Sequence, residues 1–149
     1  LRNDFTCDEY MIYQARAMGA SAVLLICSVL DEIELGAYIS LAEELGLSAL
    51  VEAHGPEEIE QAAKAGARII GVNNRNLKDF TVDIGNSAKL RGLVGGGKVF
   101  VSESGIRGPE YLKVLYENGT DAVLIGEMLM RSPDRKAALR GLRRELGHD

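Results

Sequence analysis

Two short segments carry the strongest chemical signal in this chain: Ser104-Gly105-Ile106 and Ile125-Gly126-Glu127-Met128, each closing a short apolar run. Glycine lets an anion approach the main chain, and N–H groups at loops and helix starts favour negative charge, so the pair reads as a phosphate site. Taken singly, either glycine need only turn the chain. Glu52 ends the run Ala49-Leu50-Val51. A carboxyl group there loses hydration, which favours its neutral form and suits it to proton transfer; the competing reading pairs it with a nearby base. His54, two residues on, reads as a surface group of the loop. Asn73-Asn74-Arg75-Asn76 follows Ile69-Ile70-Gly71-Val72. An amide and a guanidinium at a strand end hold a carboxylate, a hydroxyl or a phosphate, or else order their own loop, since Asn favours turns. Glu103 is either a second acid beside Ser104 or a partner for Arg75, and residue type alone leaves both open. The two histidines, His54 and His148, show no ligand spacing, so no metal site is expected.

The elements that must position these groups announce themselves through a repeated phrase, a helix ending in glycine followed by a short apolar run. The copies begin at Gly19, Gly46, Gly66 and Gly119, each glycine suiting the left-handed position just past a helix end. The runs are too short for helices and too continuous for strands with one wet face, which is the pattern of parallel strands buried on both sides. Lys98 to Ser102 reads as another strand and Leu1 to Phe5 as the tail of one, giving about six βα units. Pro56, Pro109 and Pro133 each fall where a first helical turn would begin, with acids beside them that suit the helix dipole. Strict βα alternation permits an open doubly wound sheet or a closed barrel. Polar residues mark every strand ending, from Asn3-Asp4 and Glu52 through Asn73, Glu103 and Gly126-Glu127. An open sheet concentrates its ligand contacts at one crevice, whereas a barrel spreads them over all the C-terminal strand ends, so the pattern favours a parallel (β/α) barrel of the TIM type.

Composition bounds the remaining choices. The chain has 149 residues, 46% hydrophobic and 26% charged, with a net charge of -5. That length and balance fit one globular domain, and the negative charge argues against a nucleic-acid partner. The basic stretch Arg135 to Arg144 reads as the solvated face of a last helix. Cys7 and Cys27 have neither CxxC spacing nor a secretory leader before them, so no disulfide framework is expected and a reducing, cytoplasmic setting fits. No apolar run approaches the roughly 20 residues that cross a bilayer, so no membrane role is expected.

Taken together, Leu1-Arg2-Asn3-Asp4-Phe5, Ala22 to Ile26, Leu50-Val51-Glu52-Ala53-His54, Ile70 to Leu77, Val101 to Ile106 and Leu124 to Met130 resemble the indole-3-glycerol-phosphate synthase family, in the family's order. The resemblance implies a lyase of tryptophan biosynthesis that closes a pyrrole ring on 1-(2-carboxyphenylamino)-1-deoxyribulose 5-phosphate, losing carbon dioxide and water and needing no cofactor. It implies that Glu52 belongs to the acid/base machinery and that Asn73 positions the substrate. Ser104, Gly105, Gly126 and Glu127 would surround the phosphate, with Arg75 supporting the loop or the substrate. Measured against the family, residues 1–149 form a single partial (β/α)8 domain that begins at the third strand and lacks the first two βα units, with the Glu and Lys of the first strand. The family's third strand also carries a proton-donating lysine where this chain has Asn3. An amide cannot release a proton near neutral pH, so a general-acid contribution of about 10²–10⁴-fold would be lost.

Three readings follow. The first is a lyase of this family, impaired in this truncated chain. The second is a non-catalytic phosphate-binding or self-associating barrel fragment that hides open sheet edges in a homo-oligomer. The third, another phosphate-handling barrel such as an isomerase of the same pathway, would call for a Cys/Asp acid-base pair at the first and middle strand ends, which the chain does not show.

Overall fold

The computed structural model describes residues 1–75 and 81–145; Asn76, Leu77 and His148, named above, lie outside the described residues. The elements run α1 (Glu9–Ala17), β1 (Ala22–Ile26), α2 (Glu32–Glu44), β2 (Ser48–Ala53), α3 (Pro56–Lys64), β3 (Ile69–Asn73), α4 (Gly85–Arg91), β4 (Val99–Glu103), α5 (Pro109–Glu117), β5 (Ala122–Leu124), α6 (Glu127–Arg131) and α7 (Arg135–Glu145). Strand order is chain order, β1-β2-β3-β4-β5. A doubly wound sheet reverses its strand order at a switch point; unbroken sequential order is the topology of a (β/α) barrel of the TIM type.

Local chemistry explains where the elements start and stop. Asp8 caps α1 by accepting from Tyr10 N–H, and Asp31 and Glu34 form a reciprocal capping box on α2, which satisfies donors that the first helical turn leaves open. Pro56 and Pro109 open α3 and α5 as anticipated. Pro133 does not: α7 begins at Arg135, and Asp134 is its cap, accepting from Ala137 N–H at 2.9 Å. The carboxylate of Asp134 supplies a better first-turn acceptor than proline can, so the helix starts after it. The four repeat glycines all have positive φ, between +71° and +88°, the conformation that ends a helix without a Cβ penalty.

The chain forms two compact units. Unit 1 comprises residues 1–71 and 93–99. In it β1 pairs parallel with β2, with Val23 opposite Ala49 and Ile26 opposite Glu52. Ile12, Val23, Leu25, Leu35, Val51 and Ile70 are fully buried. The sequence placed a strand tail at Leu1 to Phe5. The structure reduces it to a parallel bridge between Arg2 and Val23, closed by Arg2 N–H to Ala22 O and Leu24 N–H to Arg2 O.

Unit 2 comprises residues 72–92 and those from Phe100 onward. In it β4 pairs parallel with β5, and Phe100 is fully buried with the Arg91 guanidinium 5.3 Å above its ring. A second core gathers Ile106, Leu112, Leu115 and Leu142. β5 departs from expectation. It has only three residues, and none is buried, because it ends the strand order and has a neighbour on one side only.

Core packing and capping differ in energetic scale. Leu25→Ala should cost about 2–5 kcal/mol, whereas Asp31→Ala should cost about 1 kcal/mol. Urea unfolding midpoints of the two variants, compared at constant slope, check that order; equal losses would contradict it.

Candidate functional site

In unit 1 the candidate residue is Glu52, which sits near the end of β2 and is 5% exposed. His54 is not the surface group that its isolated position in the sequence suggests. Its main-chain N–H donates to Glu58 Oε2 at 2.8 Å, its Nδ1 lies 3.1 Å from the same oxygen, and its Nε2 lies 3.3 Å from Glu52 Oε1. The reason is geometric. α3 starts at Pro56, so Glu58 falls in its first turn and reaches back four residues to the end of the strand. The hydrogen bond to Glu58, followed by the charge of Glu52, raises the proton affinity of His54 above its ordinary value of 6.5 against the opposing effect of burial. The same bond holds Glu58 below its ordinary 4.5. Cys27, just beyond β1, places its thiol 3.5 Å from Glu58 O. Burial, then the charges of Glu58 and Glu52, push that thiol up to about 12. Asn3 is exposed, one residue past the Arg2 bridge.

In unit 2 the candidates are tied together by a residue that the sequence reading passed over. Asn74, directly after β3, is 3% exposed. Its Nδ2 donates to Ser102 Oγ at 3.0 Å and Ser104 O at 3.1 Å, while its Oδ1 accepts from Ser87 N–H at 3.1 Å and Ser87 Oγ at 2.8 Å. The two serine hydroxyls share a further bond at 2.7 Å, and Asn74 N–H donates to Glu103 O. The amide thereby fixes the ends of β3 and β4 to α4. It also holds Ser104, whose φ of +65° makes it the one described non-glycine residue in the left-handed region. Gly105 follows at +81°. An added Cβ there would lie 2.5 Å from Val82 Cγ1, so glycine is required both by conformation and by close approach. Two consecutive left-handed residues thus make a tight turn directly after β4.

The other unit 2 candidates surround this loop differently. Asn73 ends β3 and accepts from Arg75 N–H through Oδ1 at 2.9 Å, so it orders its own turn. Arg75 bridges to Val82 in the main chain and pairs with Glu127 at 2.8 Å. Its carboxylate partner is thus Glu127, not the Glu103 that the sequence left open. Glu127 also meets Arg131 at 3.1 Å, so its carboxylate is held between two guanidinium groups. Glu103 is 2% exposed at the end of β4. Among the described residues no group of three or more His, Cys, Asp and Glu is arranged to hold a metal ion, and no helix is long and apolar enough to cross a membrane.

Two outcomes follow from these contacts. Asn74→Ala should destabilise the chain by about 1–3 kcal/mol, because it leaves buried groups of Ser87 and Ser102 unsatisfied; a loss no larger than that of a surface substitution, read from denaturant unfolding, would contradict this. The second concerns pH. A raised His54 contributes stability that is complete below pH 6.5 and is lost as pH rises through its folded midpoint, while a lowered Glu58 contributes above pH 4.5 and fails in acid. The parent should therefore exceed His54→Gln most between pH 4.5 and 6.5, with the gap narrowing as pH rises above that range, as urea midpoints across a pH series would record.

Comparison with known proteins agrees with this frame. The family model for indole-3-glycerol phosphate synthase matches residues 1–142. Curated relatives named indole-3-glycerol phosphate synthase include those of Leuconostoc mesenteroides subsp. mesenteroides, 53% identical over 97% of this chain and 55% of the relative, and Ruminiclostridium cellulolyticum, 57% identical over 96% and 55%. The chain spans about half the length of the curated relatives it matches. Among solved structures, 3-hexulose-6-phosphate synthase from Salmonella typhimurium superposes with a TM-score of 0.80 at 19% identity, covering 96% of this chain and 71% of that one. KGPDC from Streptococcus mutans gives a TM-score of 0.75 at 16% identity over 97% and 71%. These two share the fold, and the match over residues 1–142 identifies the lineage: the chain belongs to the indole-3-glycerol phosphate synthase family.

Proposed function

We propose that this chain carries the phosphate-binding end and part of the acid/base machinery of a carboxy-lyase that closes the indole ring of 1-(2-carboxyphenylamino)-1-deoxyribulose 5-phosphate. The observation that carries the proposal is the family match over residues 1–142. In that reaction the ring carbon that bears the carboxylate joins the ketose carbonyl carbon, carbon dioxide leaves from that same ring carbon with its bonding electrons returning to the ring, and the former carbonyl oxygen leaves as water. Proton transfer is needed at that oxygen, which gains two protons on its way to water, and at the chain carbon beside the nitrogen, which loses one as the pyrrole forms.

Within unit 1, Glu52 is the proposed acid/base carboxylate; its burial withdraws it from water and makes proton transfer with a substrate competitive. Within unit 2, the left-handed loop at Ser104-Gly105 and the N–H groups of Gly126 and Glu127 are the proposed phosphate cradle. Asn73 and Arg75 border it, Asn73 as the substrate-positioning amide and Arg75 as a guanidinium already oriented by Glu127. Glu103, buried at the end of β4, is proposed to border the substrate beside the loop. Asn3 stands where the family's proton-donating lysine is expected, so this chain on its own is proposed to bind a phosphorylated ligand without efficient turnover.

The test uses the chain as it is. Inorganic phosphate should raise its melting temperature, and Gly105→Ala should abolish that rise, since any Cβ collides with Val82. With the carboxyphenylamino substrate, indole fluorescence should stay near background, and Asn3→Lys should increase it. A normal turnover rate in the parent would overturn the impaired-lyase reading, and a melting temperature indifferent to phosphate would overturn the cradle.

A further inference from the structure

Glu58, His54 and Glu52 form a chain of contacts that a salt bridge alone does not require. Glu58 is the outer member, with a side chain 27% exposed, whereas the Glu52 side chain is 6% exposed. Between them the imidazole offers Nδ1 to Glu58 at 3.1 Å and Nε2 to Glu52 at 3.3 Å. Only the Nδ1 contact is a hydrogen bond; Nε2 faces the Glu52 carboxylate at ion-pair range, an approach that is attractive when the ring carries both protons. The main-chain bond from His54 N–H to Glu58 Oε2 adds a second tether that fixes the ring's position.

We infer that His54, clamped by Glu58, is a positioning residue that presents a fixed positive charge to the buried Glu52 carboxyl group and sets its orientation. This rests on the reading of Glu52 as the acid/base carboxylate and deepens it. The titratable groups around the ring come from three elements: Glu52 from β2, Glu58 from α3, and Cys27 just after β1, whose thiol donates to Glu58 O. Cys27 stays protonated across the neutral range, so its thiol adds no charge beside the ring.

The experiment follows the His54 Cε1–H resonance by NMR through a pH titration of the full 149-residue chain. The midpoint should fall in Glu58→Gln and also in Glu52→Gln. An unchanged midpoint in Glu52→Gln would overturn the inference, because a ring that faces the Glu52 carboxylate must register the loss of its charge. Should Glu52→Gln fail to fold, Glu52→Asp keeps the charge but draws it back along the side chain, and an intermediate midpoint is expected, with no change again overturning the inference. In a protein of the relatives' full length carrying these residues, His54→Gln should lower kcat about tenfold while KM stays within about twofold; an unaltered kcat counts against positioning. The two proposals fail separately. Full ring-closing activity in Glu52→Gln would sink the catalytic reading of Glu52, whereas lost activity in that variant together with an unmoved His54 midpoint would sink only the role of His54.

Discussion

A single buried amide organises the strand ends of unit 2. Asn74 makes four side-chain hydrogen bonds within a nearly water-free pocket, so each of its polar atoms is satisfied by the protein. A buried polar group is costly when orphaned and rigidifying when fully bonded. The left-handed Ser104 depends on it directly. A non-glycine residue at φ +65° stores about 1–3 kcal/mol of strain, and the bond from Asn74 Nδ2 to Ser104 O is one contact that holds it there. From that fixed point follow the approach of Val82 to Gly105, the bridge from Val82 to Arg75, and the pairing of Arg75 with Glu127.

Unit 1 reaches rigidity by another route. Its cluster sets an imidazole between two carboxyl groups, with the proton affinity of His54 raised above 6.5 and that of Glu58 held below 4.5. Buried ion pairs rarely add much stability over apolar packing, and their better-attested role is to fix geometry. The polar content of the two units is thus divided between neutral hydrogen bonding around Asn74 and titratable contacts around His54.

Much of this was legible from residue order, and the boundary between what was and was not is physical. Helix ends at Gly19, Gly46, Gly66 and Gly119, and starts at Pro56 and Pro109, depend on a few neighbouring residues and were readable at once. The family motifs located Glu52, Asn73, Ser104, Gly105 and Gly126 at strand ends because parallel strands put functional groups there. The exposure of β5 was hidden because it depends on which strand has no further neighbour. The Asn74 network was hidden for a related reason: its serine partners lie 13 and 28 residues away, and no local pattern reports such a meeting. Two signals were available but weak. Polar Ser102 is buried directly after the apolar run Val99-Phe100-Val101, and Glu58 stands four residues after His54, the spacing at which side chains meet on a helix.

The placement of Cys27 has a consequence for the chain's reactivity. Oxidation and alkylation proceed through the thiolate, and a buried thiol pushed up to about 12 offers almost none at neutral pH. Cys7 is exposed. Thiol oxidation of the folded chain is therefore confined to Cys7, and the disulfide it favours joins two molecules at the same residue, while a maleimide label attaches there without touching the Glu52 cluster.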